Sequence, residues 1–199
     1  MNKKSKISYF ITNSRRVISC YQYNFLELLA VKTRFFNALL TKARKPVFLN
    51  EIKMSGIKKD DKVLLIGCGI FPLETMLIAQ ETNAKVVGID NSDKAVKIAK
   101  KYIKKIGLED DVKIEYADGR DVPVKEFDVV FIAINVFPIE NVLLNISKAK
   151  DLKKNTRILC KSIKHDIPDI LEKTGLNKFL SIKSMVKNPR TQSYLLVKN

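Results

Sequence analysis

The amino-acid sequence predicts an α/β fold: a mostly parallel, doubly wound sheet of seven strands, ending in a hairpin that makes one strand antiparallel and preceded by a helical extension. Three observations predict it. Short apolar runs alternate with helix-length amphipathic stretches from residue 62 onward. Glycine or aspartate stands just beyond the carboxyl end of the first three runs. The last two runs are joined by a turn with no helix between them, which forces them antiparallel.

The elements follow in order. Residues 1–15 are polar and basic and read as a loose arm. From Arg16 to Leu49 the apolar residues Phe25, Leu28, Leu29, Phe35, Phe36, Leu39 and Leu40 recur at helical spacing, predicting two helices, the second ending near Pro46. This gives a basic helical segment over 1–55 and a sheet domain over 56–199. Val63–Ile66 is wholly apolar, as a strand buried on both faces must be. A helix over 72–82 starts at Pro72, where a missing N–H costs nothing. A strand over 85–89 ends at Asp90, and Ser92 is placed to cap a helix reaching Ile106, with Gly107 to stop it. Strands over 112–116 and 127–134, a helix over 140–149, a strand over 157–162 and a helix over 165–174 continue the alternation. Strands over 179–186 and 193–197, with a turn at Asn188–Pro189, close it.

Composition sets limits on function. The net charge of +16 is uneven: residues 1–50 hold ten Lys and Arg against one acid, Glu27. Such a surplus draws anionic partners, so a small anionic acceptor and nucleic acid are both open as partners. No aromatic-basic repeat marks an RNA-binding motif. The most apolar stretch, Val63–Leu73, is too short for the roughly 20 residues a bilayer crossing needs, which argues against a membrane protein. No signal peptide is visible, and Cys20, Cys68 and Cys160 lack disulfide or zinc spacing, which fits a cytoplasmic protein. No His/Cys/Asp/Glu cluster has metal-ligand spacing, and no Ser-His-Asp context occurs.

In a doubly wound sheet, ligands sit beyond the carboxyl ends of the strands. The first such end is Gly67-Cys68-Gly69, whose glycines let the backbone turn sharply beside a ligand. The second is Asp90, about 20 residues on, where a carboxylate can accept both hydroxyls of a ribose. The third is Asp118-Gly119, where a carboxylate can accept from an adenine amino group. The fourth, Ala133 to Pro138, faces whatever is transferred. A nicotinamide site would need a third small residue in the glycine loop, and Phe71 and Pro72 stand there instead.

The series VLLIGCG, VVGID, YADGRD, FDVVFIA and LKKNTRILCKS, in that order from Val63 to Ser162, resembles the class I S-adenosylmethionine-dependent methyltransferases. The terminal hairpin matches that family's reversed last strand. The resemblance implies a Rossmann-like fold with S-adenosylmethionine as cofactor. It implies that Gly67, Cys68 and Gly69 line the methionine part, Asp90 holds the ribose and Asp118 the adenine. Ile89, Asn91 and Gly119 would flank the nucleoside, and Ala133 would sit near the transferred group. Two departures stand out: Leu65 occupies the usual acidic position before the first glycine, and Phe71 replaces the third glycine. There GCGIFPLE resembles the nicotianamine-synthase branch, which transfers the aminocarboxypropyl arm of S-adenosylmethionine instead of its methyl group.

The expected function is therefore S-adenosylmethionine-dependent methyl transfer to a small or anionic acceptor. Aminocarboxypropyl transfer and an RNA-binding or RNA-modifying role are the alternatives. The expected catalytic residues are Asn135, which can orient an amine or hydroxyl, and Glu27, which can face the acceptor if the N-terminal helices cover the site. Tyr21 and Tyr23 are aromatic candidates for the same lid, and His165, the one histidine, reads as a surface or capping residue.

Overall fold

A computed structural model describes residues 22–149, 152–153, 155–162, 166–188 and 191–199. Helix α1 occupies residues 22–32 and breaks at Thr33, which caps α2 (Arg34–Ser55) by accepting from the Phe36 N–H. There follow β1 (Lys62–Ile66), α3 (Leu73–Thr82), β2 (Lys85–Asp90), α4 (Asp93–Lys105), β3 (Val112–Tyr116), β4 (Val129–Ile132) and α5 (Ile139–Lys148). The chain ends with β5 (Arg157–Ser162), α6 (Ile167–Thr174), β6 (Leu180–Lys187) and β7 (Gln192–Lys198). Tyr21, Cys20 and His165 lie outside the described residues.

The seven strands form one sheet in the order β3-β2-β1-β4-β5-β7-β6. Strands β1 to β5 pair in parallel, while β7 inserts antiparallel between β5 and β6. Because side chains alternate along a strand, each face feeds its own core. Val63, Leu65, Val129 and Phe131 point into one, covered by α1 to α4; Leu64, Ile66, Val130 and Ile132 point into the other, covered by α5 and α6. The strand order reverses between β1 and β4, which is where such sheets open a crevice.

Helix α2 runs past Pro46 to Ser55, beyond the predicted stop. A mid-helix proline forfeits a hydrogen bond and costs roughly 3 kcal/mol. The half beyond it buries Phe48, Ile52, Glu51 and Ser55 against the sheet, with the Phe48 and Phe131 ring centres 5.7 Å apart. Burying two such apolar side chains is worth about 1.5–3 kcal/mol each, enough to carry the helix through. The true stop is Gly56, left-handed at φ 60°. Strand β4 is shorter than expected, beginning at Val129, because Asp128 caps the pairing edge: its carboxylate accepts from the Lys62 N–H at 2.9 Å and pairs with Lys153 at 2.6 Å.

Candidate active site

Register places the strand ends together. Ile66 is level with Ile89 on one side and Ile132 on the other, so Gly67, Asp90 and Ala133 leave the sheet side by side. Asp90 is level with Tyr116, which brings Ala117, Asp118 and Gly119 to the same rim. The result is a cavity of about 260 Å³ lined by these residues, by Asn91 and Asn135, and by α1 and α2 from above.

The glycine turn is shaped by neighbours as well as by open space. Gly67 and Gly69 adopt φ 85° and 71°, a region that disfavours any side chain. A Cβ on Gly67 would meet Val136 at 2.7 Å, and one on Gly69 would meet the Glu27 carboxylate at 2.7 Å. The Gly67 and Cys68 amides donate to the Ile89 carbonyl at 2.8 and 2.9 Å, pinning the turn to the end of β2. Burial pushes the Cys68 thiol far up, with the nearby Asp90 and Glu27 carboxylates adding to it, so Cys68 is a small apolar wall and no nucleophile.

Asp90 braces two loops at once. One carboxylate oxygen accepts from the Gly69 N–H at 2.9 Å and the other from the Ser92 N–H at 2.9 Å. Burial raises its pKa despite both donors. Each oxygen can take a second donor, which leaves room for a pair of sugar hydroxyls. Asp118 also lines the cavity, but its carboxylate is forked onto Arg120 at 2.6 to 3.1 Å, and that hydrogen bonding holds its pKa below the ordinary value. Gly119 packs so closely that a Cβ would lie 2.5 Å from Ile66, which makes it a packing glycine too.

Helix α1 closes the top. Glu27, only 4% exposed, accepts from the Ile70 N–H at 2.9 Å and the Phe71 N–H at 3.4 Å, and lies 3.6 Å from the Arg44 guanidinium. Burial raises its pKa to about 7, against the pull of Arg44 and the two amides. Arg44 stacks 4.3 Å over the Tyr23 ring, whose phenol burial keeps neutral. The predicted residues Gly67, Cys68, Gly69, Asp90, Asn91, Asp118, Gly119, Ala133, Asn135, Glu27 and Tyr23 all line this one cavity. Ile89 is buried behind it. Arg44 and Glu74 line it as well, and sequence reasoning missed both. Glu74 was detectable as the acid in the first turn of the helix after the glycines; Arg44, brought in by α2, left no local signal. Among the described residues no metal-binding cluster occurs, and no helix is long and apolar enough to cross a membrane.

The start of α3 is chemically decisive. In a dinucleotide site this helix end offers free N–H groups to a pyrophosphate. Here Pro72 has no N–H, Glu27 already occupies the Ile70 and Phe71 amides, and Glu74 adds a negative charge to the first turn. From Gly69 to Pro72 no N–H is left free for a diphosphate, and the adjoining wall carries both Glu74 and Arg44.

A family model described as a methyltransferase domain matches residues 57–193, well over half of the chain. Sterol 24-C-methyltransferase of Eremothecium gossypii is 37% identical over 79 residues, 39% of this chain and 21% of that protein. L-histidine 2-aminobutanoyltransferase of Yersinia pestis is 32% identical over 63 residues, 32% of this chain and 24% of that protein. The chain thus spans less than a quarter of the length of these curated relatives. Among solved structures, a glutamate-to-glutamine mutant of MtNAS superposes with a TM-score of 0.77 at 16% identity, covering 99% of this chain and 78% of that one. MtNAS in complex with MTA and tNA gives 0.70 at 19% identity, covering 87% and 69%. At such identities the likeness is one of fold.

Proposed function

The chain belongs to the methyltransferase-domain family, and from that premise we propose that it binds S-adenosylmethionine in the crevice beside Gly67, Asp90 and Ala133 and transfers its methyl group to a small acceptor held beneath α1. The observation that supports this best is the glycine turn, where no N–H from Gly69 to Pro72 is left free for a pyrophosphate, beside Asp90, each of whose oxygens can take a further donor such as a ribose hydroxyl. The donor set fits the group: Asp90 would accept from the ribose, Asn91, Asp118 and Gly119 would flank the adenine, and Gly67, Cys68 and Gly69 would line the methionine part. Bound there, the cofactor supplies a carbon already made electrophilic by its sulfonium.

The chain's own residues then have mainly to position and to manage one proton. Asn135, exposed at the rim after β4, would orient the acceptor. Glu27 would take the acceptor's proton: with a pKa of about 7 it is matched to that task near neutral pH. Helix α1, with Tyr23, would exclude water from above.

A second reading, transfer of the aminocarboxypropyl arm, has a specific observation behind it. The superposition on MtNAS takes in 99% of the chain, so it includes α1 and α2, the helices that carry Glu27 and Arg44. One curated relative is named for transferring an aminobutanoyl group. The leaving product separates the readings. Incubation with S-adenosylmethionine and candidate acceptors, followed by mass spectrometry, is expected to give S-adenosylhomocysteine. Methylthioadenosine in its place would replace methyl transfer with arm transfer, and release of neither would refute both.

A further inference from the structure

The first half of α2 is apolar on two sides. Phe36 and Leu40 pack on the core, while Phe35 and Leu39, one turn apart, stand 72% and 51% exposed. A helix that is apolar all round is ordinarily covered all round. On α1, Phe25 and Leu26 are also exposed, at 62% and 39%. Four of the ten large hydrophobic side chains exposed among the described residues thus fall between positions 25 and 39, a concentration that marks an interaction surface and not scattered exposure. The same helical spacing sets a lysine on each apolar stripe: Phe25, Leu29 and Lys32 on α1, then Phe35, Leu39 and Lys42 on α2. The elbow between the helices, residues 32–35, is exposed throughout.

The charge around these side chains is of one sign. Arg44 and Lys45 are engaged by Glu27 and Glu81, but Lys32, Arg34 and Lys42 are exposed and have no acidic partner among the described residues. Up to residue 50 the one acid in the sequence is Glu27, and it is buried. Phenylalanine and leucine inside an uncompensated cationic rim are the complement of anionic headgroups with acyl chains beneath them. A second copy of the chain would instead bring like charges face to face. Single-stranded nucleic acid stacks its bases on aromatic rings, and two of the four apolar side chains are leucines. We propose that the elbow of α1 and α2 docks this chain on the surface of an anionic bilayer, with Phe25, Leu26, Phe35 and Leu39 entering the interface and Lys32, Arg34 and Lys42 meeting the phosphates. Docking of this kind needs no spanning helix. Tyr23, Asn24 and Glu27 on the same α1 line the cavity, so docking sets that wall of the cavity close to the headgroups. It does not depend on which ligand the cavity takes.

The chain has no tryptophan, so Phe35→Trp places a single fluorophore on this surface. Phe179→Trp is the control: it is also exposed, but at the amino end of β6, on the sheet edge away from the cavity. Each protein is mixed with vesicles of phosphatidylcholine alone or with about a third phosphatidylserine. The Phe35→Trp emission is expected to shift to the blue, and to be quenched by brominated acyl chains, with the serine lipid. The affinity for those vesicles should exceed that for neutral ones by about tenfold or more and fall as salt rises. The Phe179→Trp emission should not move. In co-sedimentation, the combined variant Phe25→Ser, Phe35→Ser and Leu39→Ser is expected to lose about tenfold or more in vesicle binding. Lys32→Gln with Arg34→Gln and Lys42→Gln should lose the preference for anionic lipid. An unmoved Phe35→Trp, an equal shift in Phe179→Trp, or wild-type binding by the serine variant overturns the docking surface. A Phe35→Trp shift that follows protein concentration without vesicles gives the face to a second copy, and one that requires RNA gives it to nucleic acid; either result also overturns the bilayer.

Discussion

Glu27 is a single acid in a basic stretch of sequence, and its surroundings decide its chemistry. Buried beside Arg44, Tyr23 and Glu74, it titrates at about 7 in the folded chain and near its ordinary 4.5 when unfolded. The folded state therefore keeps a proton that the unfolded chain gives up. The stability that this confers is complete below pH 4.5 and is lost as pH rises through 7, by up to about 3 kcal/mol. Glu27→Gln cannot lose it. Urea titrations of both proteins should show the variant gaining on the wild type by about 2–3 kcal/mol between pH 4.5 and 8. A pH-independent difference would mean that Glu27 is an ordinary solvated carboxylate. At this scale the sequence located Glu27 by its isolation, and Asp90 by its distance from the glycines. It said nothing of Arg44, because the approach of Arg44 to Glu27 is made by the break at Thr33 and not by any local pattern. Nor did it show that Asp118 would be forked onto Arg120, a choice made by side chains two residues apart.

Helix α2 illustrates how tertiary contacts override a local signal. Pro46 is a sound stop in an isolated helix, yet the helix continues because its second half docks on the sheet. The docking is fastened by Arg157 on β5, which donates to the Ser55 carbonyl at 3.1 Å, to the Gly56 carbonyl, and to Asp61 at 2.7 Å. Arg157→Met keeps the apolar stem and removes all of these partners. It is expected to cost about 2–4 kcal/mol in urea unfolding, since the carbonyls and Asp61 are left partly buried. A loss below about 0.5 kcal/mol would show that α2 is held by its apolar face alone. The remaining elements were legible to within two residues, apart from the N-terminal helices, because each pairs a clear periodicity with a punctuating residue: Ser92 capping α4, Gly107 following it, Pro72 before α3.

Across the whole molecule, charge and cavity are separate features. The net charge of +16 is spread over surfaces such as the outer face of α4, where Lys94, Lys97, Lys100, Lys101, Lys104 and Lys105 project and Asp93 pairs with Lys97 at 2.5 Å. The cavity wall carries Glu27, Glu74, Asp90 and Asp118 together with Arg44 and Arg120. The surplus therefore serves long-range attraction, while the cavity offers a guest groups of both signs. Filter binding to single-stranded RNA should be weak and should fall steeply between 50 and 200 mM salt, as sequence-independent phosphate contact does. Affinity that survives the higher salt would point to a built RNA site and revive the nucleic-acid alternative.

What the crevice at Asp90 and the start of α3 admits decides the function. Titration calorimetry of the wild-type chain with S-adenosylmethionine and, separately, with NAD tests that directly. One saturable site for S-adenosylmethionine and no measurable heat with NAD is the predicted result. Binding of NAD, or no binding of S-adenosylmethionine, would contradict it.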